Sequence, residues 1–287
     1  MTIVGEHETS DLHEPPLLSL VLPVYNEHDR LPRTLRLLRK YLSRRRLAAE
    51  IIVVDDGSTD DTAALVQRRV LTWPALRLIS TPHRGKGHAV RVGLLAAQGA
   101  YICFCDADLS MPITELSKFL PPLRPDVAVA IASREARGAH RYGEPVHRHV
   151  FGRVFNLLVR ALALPGIQDS QCGFKSFRGE VARQLAAAQT RNGWGFDVEL
   201  LYLARRWGYG VVEVPVEWHY APSSRVSPLR DSWRMARDVL AVRRNARAGN
   251  YEKPAALSGQ AYAQTAPGEP GRDAARARSA EAAAPSR

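Results

Sequence analysis

Residues 50–60 read Glu-Ile-Ile-Val-Val-Asp-Asp-Gly-Ser-Thr-Asp, and this stretch indicates the fold more clearly than any other. The β-branched residues 51–54 are typical of a strand that is buried on both faces. The following Asp-Gly-Ser-Thr-Asp combines turn residues with helix-capping residues, and helical apolar spacing continues over residues 60–71. The stretch therefore predicts a strand, a short loop and a helix.

The same alternation continues in both directions from this stretch. Further strands are predicted over residues 18–24, 76–80, 100–106 and 126–133, and further helices over residues 30–46 and 87–98. Strand–helix–strand alternation at this spacing implies right-handed crossovers and neighbouring parallel strands. We therefore predict an α/β fold, a Rossmann-like and mainly parallel sheet with helices on both faces.

Length and composition divide the chain of 287 residues into three parts. Residues 1–16 are polar and contain two adjacent prolines, which predicts a flexible N-terminus. From residue 249 the sequence is rich in Ala, Pro, Gly, Ser and Arg and has little to bury, which predicts a disordered tail over residues 249–287. Residues 17–248 remain as one α/β domain.

The net charge of +11 favours an anionic partner. No helix-turn-helix, zinc-finger or aromatic RNA-binding pattern accompanies it, so nucleic acid is not expected. Phosphorylated substrates and anionic lipid headgroups remain as alternatives. No apolar run approaches 18 residues, and residues 1–8 do not resemble a signal peptide, so we expect a cytoplasmic protein. Cys103, Cys105 and Cys172 are interpreted as reduced core residues.

Polar side chains collect at the predicted carboxyl ends of several strands. The segments are Pro23-Val-Tyr-Asn-Glu27, Asp55-Asp-Gly-Ser-Thr-Asp60, Arg84-Gly-Lys-Gly87 and Cys105-Asp-Ala-Asp108. Each segment alone is equally typical of a turn, a helix cap or a solvated loop. Ligands of open parallel sheets bind beyond the carboxyl ends of the strands. The four segments together therefore predict one binding site.

The residue types at this predicted rim suit a phosphorylated ligand and a metal ion. Asp106 and Asp108, one residue apart where a strand ends, are suited to hold Mg²⁺ or Mn²⁺ together with substrate phosphate. Tyr25 offers a flat face for a nucleobase, and Asp56 offers a hydrogen-bond acceptor. Lys86, with Arg84 close by, suits phosphate oxygens.

These motifs resemble those of family-2 glycosyltransferases with the GT-A fold. Blocks in the second half resemble the dolichyl-phosphate β-glucosyltransferase branch, and the resemblance covers about residues 17–245. The blocks are Ser133-Arg134, Asp169-Ser-Gln-Cys-Gly-Phe-Lys-Ser-Phe177, Trp194-Gly-Phe-Asp-Val-Glu-Leu-Leu-Tyr202 and Glu213-Val-Pro-Val-Glu-Trp218. The resemblance implies a GT-A sheet.

The resemblance also implies roles for particular residues. Nucleotide binding is expected of Pro23, Tyr25, Glu27, Asp56, Lys86 and Asp106; metal binding of Asp106 and Asp108; and phosphate or acceptor binding of Arg134, Arg148 and Lys175. Asp108 and Asp169 are the expected catalytic residues, Asp169 as a base or a sugar-contacting carboxylate. Asp197 is expected to lie in the pocket.

The implied reaction is inverting transfer of a sugar, glucose from UDP-glucose, to a polyprenyl phosphate. A lipid monophosphate carries about −1.5 to −2 charges at neutral pH, so its oxygen is already nucleophilic. We therefore expect Asp169 to orient a substrate rather than to supply essential basicity. One alternative is a GDP-mannose-dependent polyprenyl-phosphate mannosyltransferase. The other is a basic nucleic-acid-binding or scaffold protein, and the acidic rim disfavours this second alternative.

A lipid acceptor requires contact with a membrane. Eukaryotic members of this branch carry an N-terminal membrane anchor that this sequence does not match. Residues 149–164 are largely apolar and are interpreted as either a core helix or an interfacial helix. Residues 228–247 predict a C-terminal amphipathic helix, whose apolar stripe comprises Leu229, Trp233, Ala236 and Leu240. Arginines surround this stripe, a pattern typical of helices in the headgroup plane. We therefore predict peripheral association with an anionic membrane surface, at the inner face of the membrane.

Overall fold

The computed structural model describes residues 15–121, 127–221 and 228–253. The side chains of residues 147, 148, 151, 155 and 228–233 lie outside the described part. The strands are β1 (Leu18–Val24), β2 (Ala49–Asp55), β3 (Leu76–Ser80), β4 (Tyr101–Phe104), β5 (Val129–Ser133), β6 (His140–Tyr142), β7 (Lys175–Arg178), β8 (Val211–Pro215) and β9 (Glu217–His219). The helices are α1 (Leu31–Arg45), α2 (Thr62–Val70), α3 (Lys86–Ala96), α4 (Val146–Leu162), α5 (Gly179–Ala188), α6 (Phe196–Arg206) and α7 (Pro228–Arg247), with a 3-10 helix over Ile113–Phe119.

The main sheet has seven strands in the order β3-β2-β1-β4-β7-β5-β8. Every neighbouring pair is parallel except for the two pairs that β7 makes, with β4 and with β5. The predicted α/β, mainly parallel sheet is confirmed. β7 was not predicted as a strand, because a segment of four residues with a basic residue at each end carries no strand pattern.

Apolar side chains of the strands alternate between two cores, one on each face of the sheet. In β1, Leu20 and Leu22 pack with the buried stripe of α1, whereas Val21 packs on the opposite face with α3 and α6. Leu31, Leu35 and Leu38 of α1 are buried at the spacing that the sequence predicted. Helices therefore cover both faces, and the carboxyl ends of β1, β2 and β4 remain open to a ligand.

α7 packs against the rest of the domain with a different stripe from the predicted one, since Leu240 of the predicted stripe is 58% exposed. Met235, Val239 and Val242 are buried, at the spacing of one helix face. Just after α7, Tyr251 is buried, and its hydroxyl donates a 2.6 Å hydrogen bond to Glu199 of α6. Residues 1–14 and 254–287, most of the segments predicted to be flexible or disordered, lie outside the described residues.

Two further findings concern the cysteines and the membrane. Cys103, Cys105 and Cys172 are free and buried, as expected of core residues. Among the described residues, no helix combines the length and the apolar character that crossing a membrane requires.

Candidate active site

A cavity of about 960 Å³ opens at the carboxyl ends of β1, β2 and β4. Seven residues that the sequence analysis placed at one rim line this cavity: Pro23, Tyr25, Glu27, Asp56, Lys86, Asp106 and Asp108. Parallel strands direct their carboxyl ends to the same edge of the sheet, and this geometry brings together residues that are more than 80 positions apart in the chain.

Asp56 organises the loop that forms one wall of the cavity. Its carboxylate is buried and accepts hydrogen bonds from the backbone N–H groups of Arg84 (2.9 Å) and Gly85 (2.8 Å). His83 Nδ1 lies 2.8 Å from the same carboxylate, and the His83 ring stacks on Tyr25 with 4.2 Å between the ring centroids. Tyr25 and His83 therefore present a preformed aromatic surface, of which the sequence analysis found only Tyr25.

Asp106 is held between a lysine and a glycine. Its Oδ1 lies 2.5 Å from Lys86 Nζ, and this ion pair joins the end of β4 to the start of α3. A Cβ atom at Gly173 would overlap the Asp106 carboxylate. The glycine of the Gln-Cys-Gly-Phe-Lys block thus leaves the space that Asp106 occupies, although Gly173 itself does not line the cavity.

Asp108 is partly buried beside Asp106, and its Oδ1 accepts a 2.9 Å hydrogen bond from the backbone N–H of Ser110. Burial raises the pKa of Asp108, and the negative charge of Asp106 raises it further. Among the described residues, no cluster of three or more His, Cys, Asp or Glu side chains forms a complete metal site. Mg²⁺ and Mn²⁺ sites often combine one or two carboxylates with substrate phosphates, so this pair fits such an ion.

Arg134 and Asp169 form a bidentate ion pair, in which Asp169 is fully buried and the Arg134 side chain is 17% exposed. Arg134 donates from Nε (2.7 Å) and Nη2 (2.8 Å) to the two carboxylate oxygens, and its backbone N–H donates to Oδ2 (2.9 Å). Burial alone would raise the pKa of Asp169, but the Arg134 charge and hydrogen bonds hold it well below its usual range. Neither residue lines the large cavity.

Trp218 lies between the Arg134–Asp169 pair and the acidic residues Asp106 and Asp108. The Arg134 guanidinium lies 5.3 Å from the centroid of the Trp218 ring. Trp218 in turn lines a small cleft of about 20 Å³ together with Asp106 and Asp108. Asp106 and Asp108 therefore separate the large cavity from the side of the domain that holds Arg134.

Two other expected residues lie elsewhere. Lys175, expected to bind phosphate, is fully buried in the core, where its Nζ lies 2.5 Å from Asp197 and donates to the Cys172 carbonyl at 2.8 Å. Neither Lys175 nor Asp197 lines the cavity. The side chain of Arg148 lies outside the described residues, and its predicted role stays a prediction.

Several lining residues were not predicted to belong to the site. They are Arg30, His83, Arg191, Trp194, Arg234, Arg237, Asp238 and Arg244. Lys86 Nζ lies 5.3 Å from the centroid of the Trp194 ring, within range of a cation–π interaction. The α7 arginines were interpreted as a membrane surface, because helical periodicity does not show which neighbour a polar face meets.

A mainly parallel sheet with an acidic pair at the mouth of a nucleotide-sized cavity defines a GT-A type glycosyltransferase. The model of the family described as "Glycosyl transferase family 2" matches residues 19–186. The chain belongs to this family, which confirms the membership expected from its motifs.

Two relatives and one solved structure illustrate the similarity. The chain is 33% identical over 244 residues to a dolichyl-phosphate beta-glucosyltransferase of Dictyostelium discoideum, covering 79% of this chain and 73% of the relative. It is 34% identical to the Homo sapiens protein of the same name, covering 79% and 74%. Glucosyl-3-phosphoglycerate synthase from Mycobacterium tuberculosis, in complex with Mn²⁺, UDP and glucosyl-3-phosphoglycerate, has a TM-score of 0.54 at 21% identity, covering 83% and 81%. This last likeness concerns the fold.

Proposed function

We propose that this glycosyltransferase transfers glucose from UDP-glucose to a polyprenyl phosphate of the dolichyl type and produces a β-linked glycolipid. The observation that carries the proposal is the cavity in which Tyr25, Asp56, Lys86, Asp106 and Asp108 meet. It offers an aromatic surface for a base and charged groups for a diphosphate. The relatives named dolichyl-phosphate beta-glucosyltransferase support glucose as the sugar and a lipid phosphate as the acceptor.

Asp106 and Asp108 are the residues proposed to hold a divalent metal ion, Mg²⁺ or Mn²⁺. Such an ion, when bound, would neutralise the charge that develops on the leaving diphosphate. The complex of the mycobacterial synthase with Mn²⁺ and UDP supports the use of a divalent ion together with a nucleotide. Lys86, paired with Asp106, would keep that carboxylate in place and add positive charge near the phosphates.

The proposed reaction is a single in-line displacement at the anomeric carbon. An acceptor phosphate oxygen forms the new bond, and the electron pair of the broken bond stays on the β-phosphate oxygen of UDP, so the α-linkage of the donor becomes a β-linkage. Asp169 is poorly suited to act as a base, because Arg134 holds both of its oxygens and stabilises its ionised form. Its proposed role is to orient Arg134, and Arg134 and Arg148 would bind the acceptor phosphate.

The test is transfer from radiolabelled UDP-glucose, UDP-galactose and GDP-mannose to a short polyprenyl phosphate, with Mg²⁺ or Mn²⁺ present. We expect a labelled glycolipid from UDP-glucose at a rate at least about tenfold above the others, since one correctly paired base or hydroxyl contributes at least about 1.4 kcal/mol to discrimination. Labelled lipid from GDP-mannose alone would replace the proposal with the mannosyltransferase alternative. The absence of labelled lipid with all three donors would refute lipid-phosphate transfer.

We further propose that α4 lies on an anionic membrane surface. Half of the large apolar side chains that are exposed among the described residues belong to this helix: Val146, Val150, Val154, Leu157 and Leu158. Their spacing places them along one side of the helix. α4 has no acidic residue, and the exposed Arg153 and Arg160 suit anionic headgroups. An apolar stripe flanked by basic residues complements such a membrane.

Replacing Val154 and Leu157 together by glutamine should weaken binding to vesicles of phosphatidylcholine and phosphatidylglycerol at least about tenfold. The side chains are 61% and 63% exposed, and burying an aliphatic side chain in an apolar phase contributes about 1.5–3 kcal/mol. The matched control is Leu71→Gln, because Leu71 is 81% exposed just after α2 and far from α4 in sequence. Equal vesicle binding of the two variants in sedimentation experiments would refute this orientation.

A further inference from the structure

α7 supplies three arginines to the wall of the large cavity. Arg234, Arg237 and Arg244 line it together with Ala241 of the same helix. Positions 234, 237, 241 and 244 follow the i, i+3, i+7, i+10 spacing of one helix face. The neighbouring face carries the buried Met235, Val239 and Val242. Packing of the apolar face therefore sets the direction in which the arginine face points.

A close contact at Asp238 fixes α7 beside a loop that lines the cavity. A Cβ atom at Gly195 would overlap the Asp238 side chain. Arg191 Nη1, from the same loop, lies 3.8 Å from Asp238 Oδ1. Because Arg191, Trp194 and Asp238 all line the cavity, this contact holds α7 against the site.

The charges in the cavity are unevenly matched. Lys86 is paired with Asp106 at 2.5 Å, Arg30 with Glu27 at 2.6 Å, and Arg191 lies near Asp238. In contrast, Arg234, Arg237 and Arg244 form no salt bridge with any residue in the described part of the chain. The α7 wall therefore carries more positive than negative charge, and it lines the same cavity as the acidic pair.

We propose that Arg234, Arg237 and Arg244 bind a phosphate group of a substrate inside this cavity. The guanidinium group donates two parallel hydrogen bonds to phosphate oxygens, which suits an arginine wall to this ligand. The cavity volume of about 960 Å³ lies near the top of the range for small-molecule sites, so a nucleotide leaves room for a second group. Which substrates carry the phosphate depends on the proposed function. That the ligand group is a phosphate follows from the three arginines themselves.

The phosphate could belong to either substrate: the diphosphate of the donor and the monoester of the acceptor offer the same chemistry.

The proposal differs from the membrane-surface interpretation of α7, because the three arginines line the cavity. Arg247 is also exposed on α7 but does not line the cavity. It offers a matched control on the same helix.

The experiment compares the full-length variants R234Q/R237Q/R244Q and R247Q with the unaltered protein by titration calorimetry. One arm measures binding of UDP with Mn²⁺ present. The other measures binding of farnesyl phosphate to UDP-saturated protein. We expect the dissociation constant in at least one arm to rise about tenfold or more in the triple variant and to stay unchanged in R247Q, and the arm affected identifies the source.

Unchanged constants in both arms, or equal changes in R247Q, would overturn the proposal. If the triple variant loses binding to anionic vesicles while both dissociation constants stay unchanged, the arginines contact a membrane and the proposal is overturned. If the triple variant lacks a cooperative thermal transition, R234Q alone is measured, since Arg234 is exposed. Neither arm requires glucose transfer, so a failure of the proposed reaction does not affect this test.

Discussion

Asp108→Asn should lower kcat/KM for glucosyl transfer about a thousandfold or more, even with Mn²⁺ at saturation. The amide keeps an oxygen that can accept the Ser110 N–H hydrogen bond, so the loop should retain its shape. What the substitution removes is the negative charge needed to hold the metal ion and, through it, the leaving diphosphate. Metal-ion catalysis contributes several kcal/mol to transition-state stabilisation, and each 1.36 kcal/mol corresponds to about tenfold in rate.

The control for Asp108→Asn is Asp29→Asn, because the Asp29 side chain is 99% exposed and does not line the cavity. Its kcat/KM should match that of the unaltered protein within about twofold, as expected of a surface substitution. Initial rates measured over a range of Mn²⁺ concentrations separate weak metal binding from a lost catalytic group. An unaltered rate for Asp108→Asn across the whole range of Mn²⁺ concentrations would remove Asp108 from the metal site.

Asp169→Asn should lower the free energy of unfolding by about 3–5 kcal/mol. Asp169 is fully buried, and its two oxygens accept hydrogen bonds from Arg134. The substitution leaves a guanidinium that is only 17% exposed without its counter-charge. Removing one partner of a buried ion pair typically costs this amount. Urea denaturation followed by circular dichroism measures the effect. At a temperature where the variant stays folded, we expect reduced but measurable glucosyl transfer, because the carboxylate orients Arg134 and is not the base.

Two comparisons decide between orientation and base catalysis for Asp169. Glu213→Gln also alters a carboxylate acceptor, since the partly buried Glu213 accepts a hydrogen bond from the backbone N–H of Asp169 at 2.9 Å, but it leaves the Arg134 pair in place. We expect a smaller loss of stability in that variant. If Asp169→Asn were as stable as the unaltered protein yet inactive with UDP binding intact, the carboxylate would take part in the reaction itself.

The same pair predicts how stability depends on pH. Because the folded-state pKa of Asp169 is lowered, its stabilising contribution is fully present above the unfolded-state value of about 3.9. It is lost only as the pH falls below that value toward the lower folded-state pKa. The difference in unfolding free energy between the unaltered protein and Asp169→Asn should therefore be constant from pH 5 to 8 and shrink below about pH 4.

The sequence predicted the donor side of the site better than the remainder. Tyr25, Asp56 and Asp106 each follow an apolar strand, and the rule for parallel sheets places such residues at one edge without knowledge of any side-chain contact. His83 and Trp194 carry no comparable local signal. Lys175 shows the opposite problem, since the family resemblance implied a phosphate-binding residue, yet its partner Asp197 lies 22 positions away in sequence and holds Lys175 in the core.

By itself, the sequence determined the α/β class, the parallel half of the sheet and the acidic pair, because hydrophobic periodicity and strand-end residues are local properties of the chain. Only the tertiary structure decided three features: the antiparallel insertion of β7, the burial of the Arg134–Asp169 pair, and the direction of the α7 arginines. Each depends on contacts between segments that are distant in sequence, and local periodicity carries no information about which distant segment a polar side chain will meet. Asp106 itself combines both levels: its place at the strand end follows from the sequence, and its fixed position follows from the space at Gly173 and the charge of Lys86.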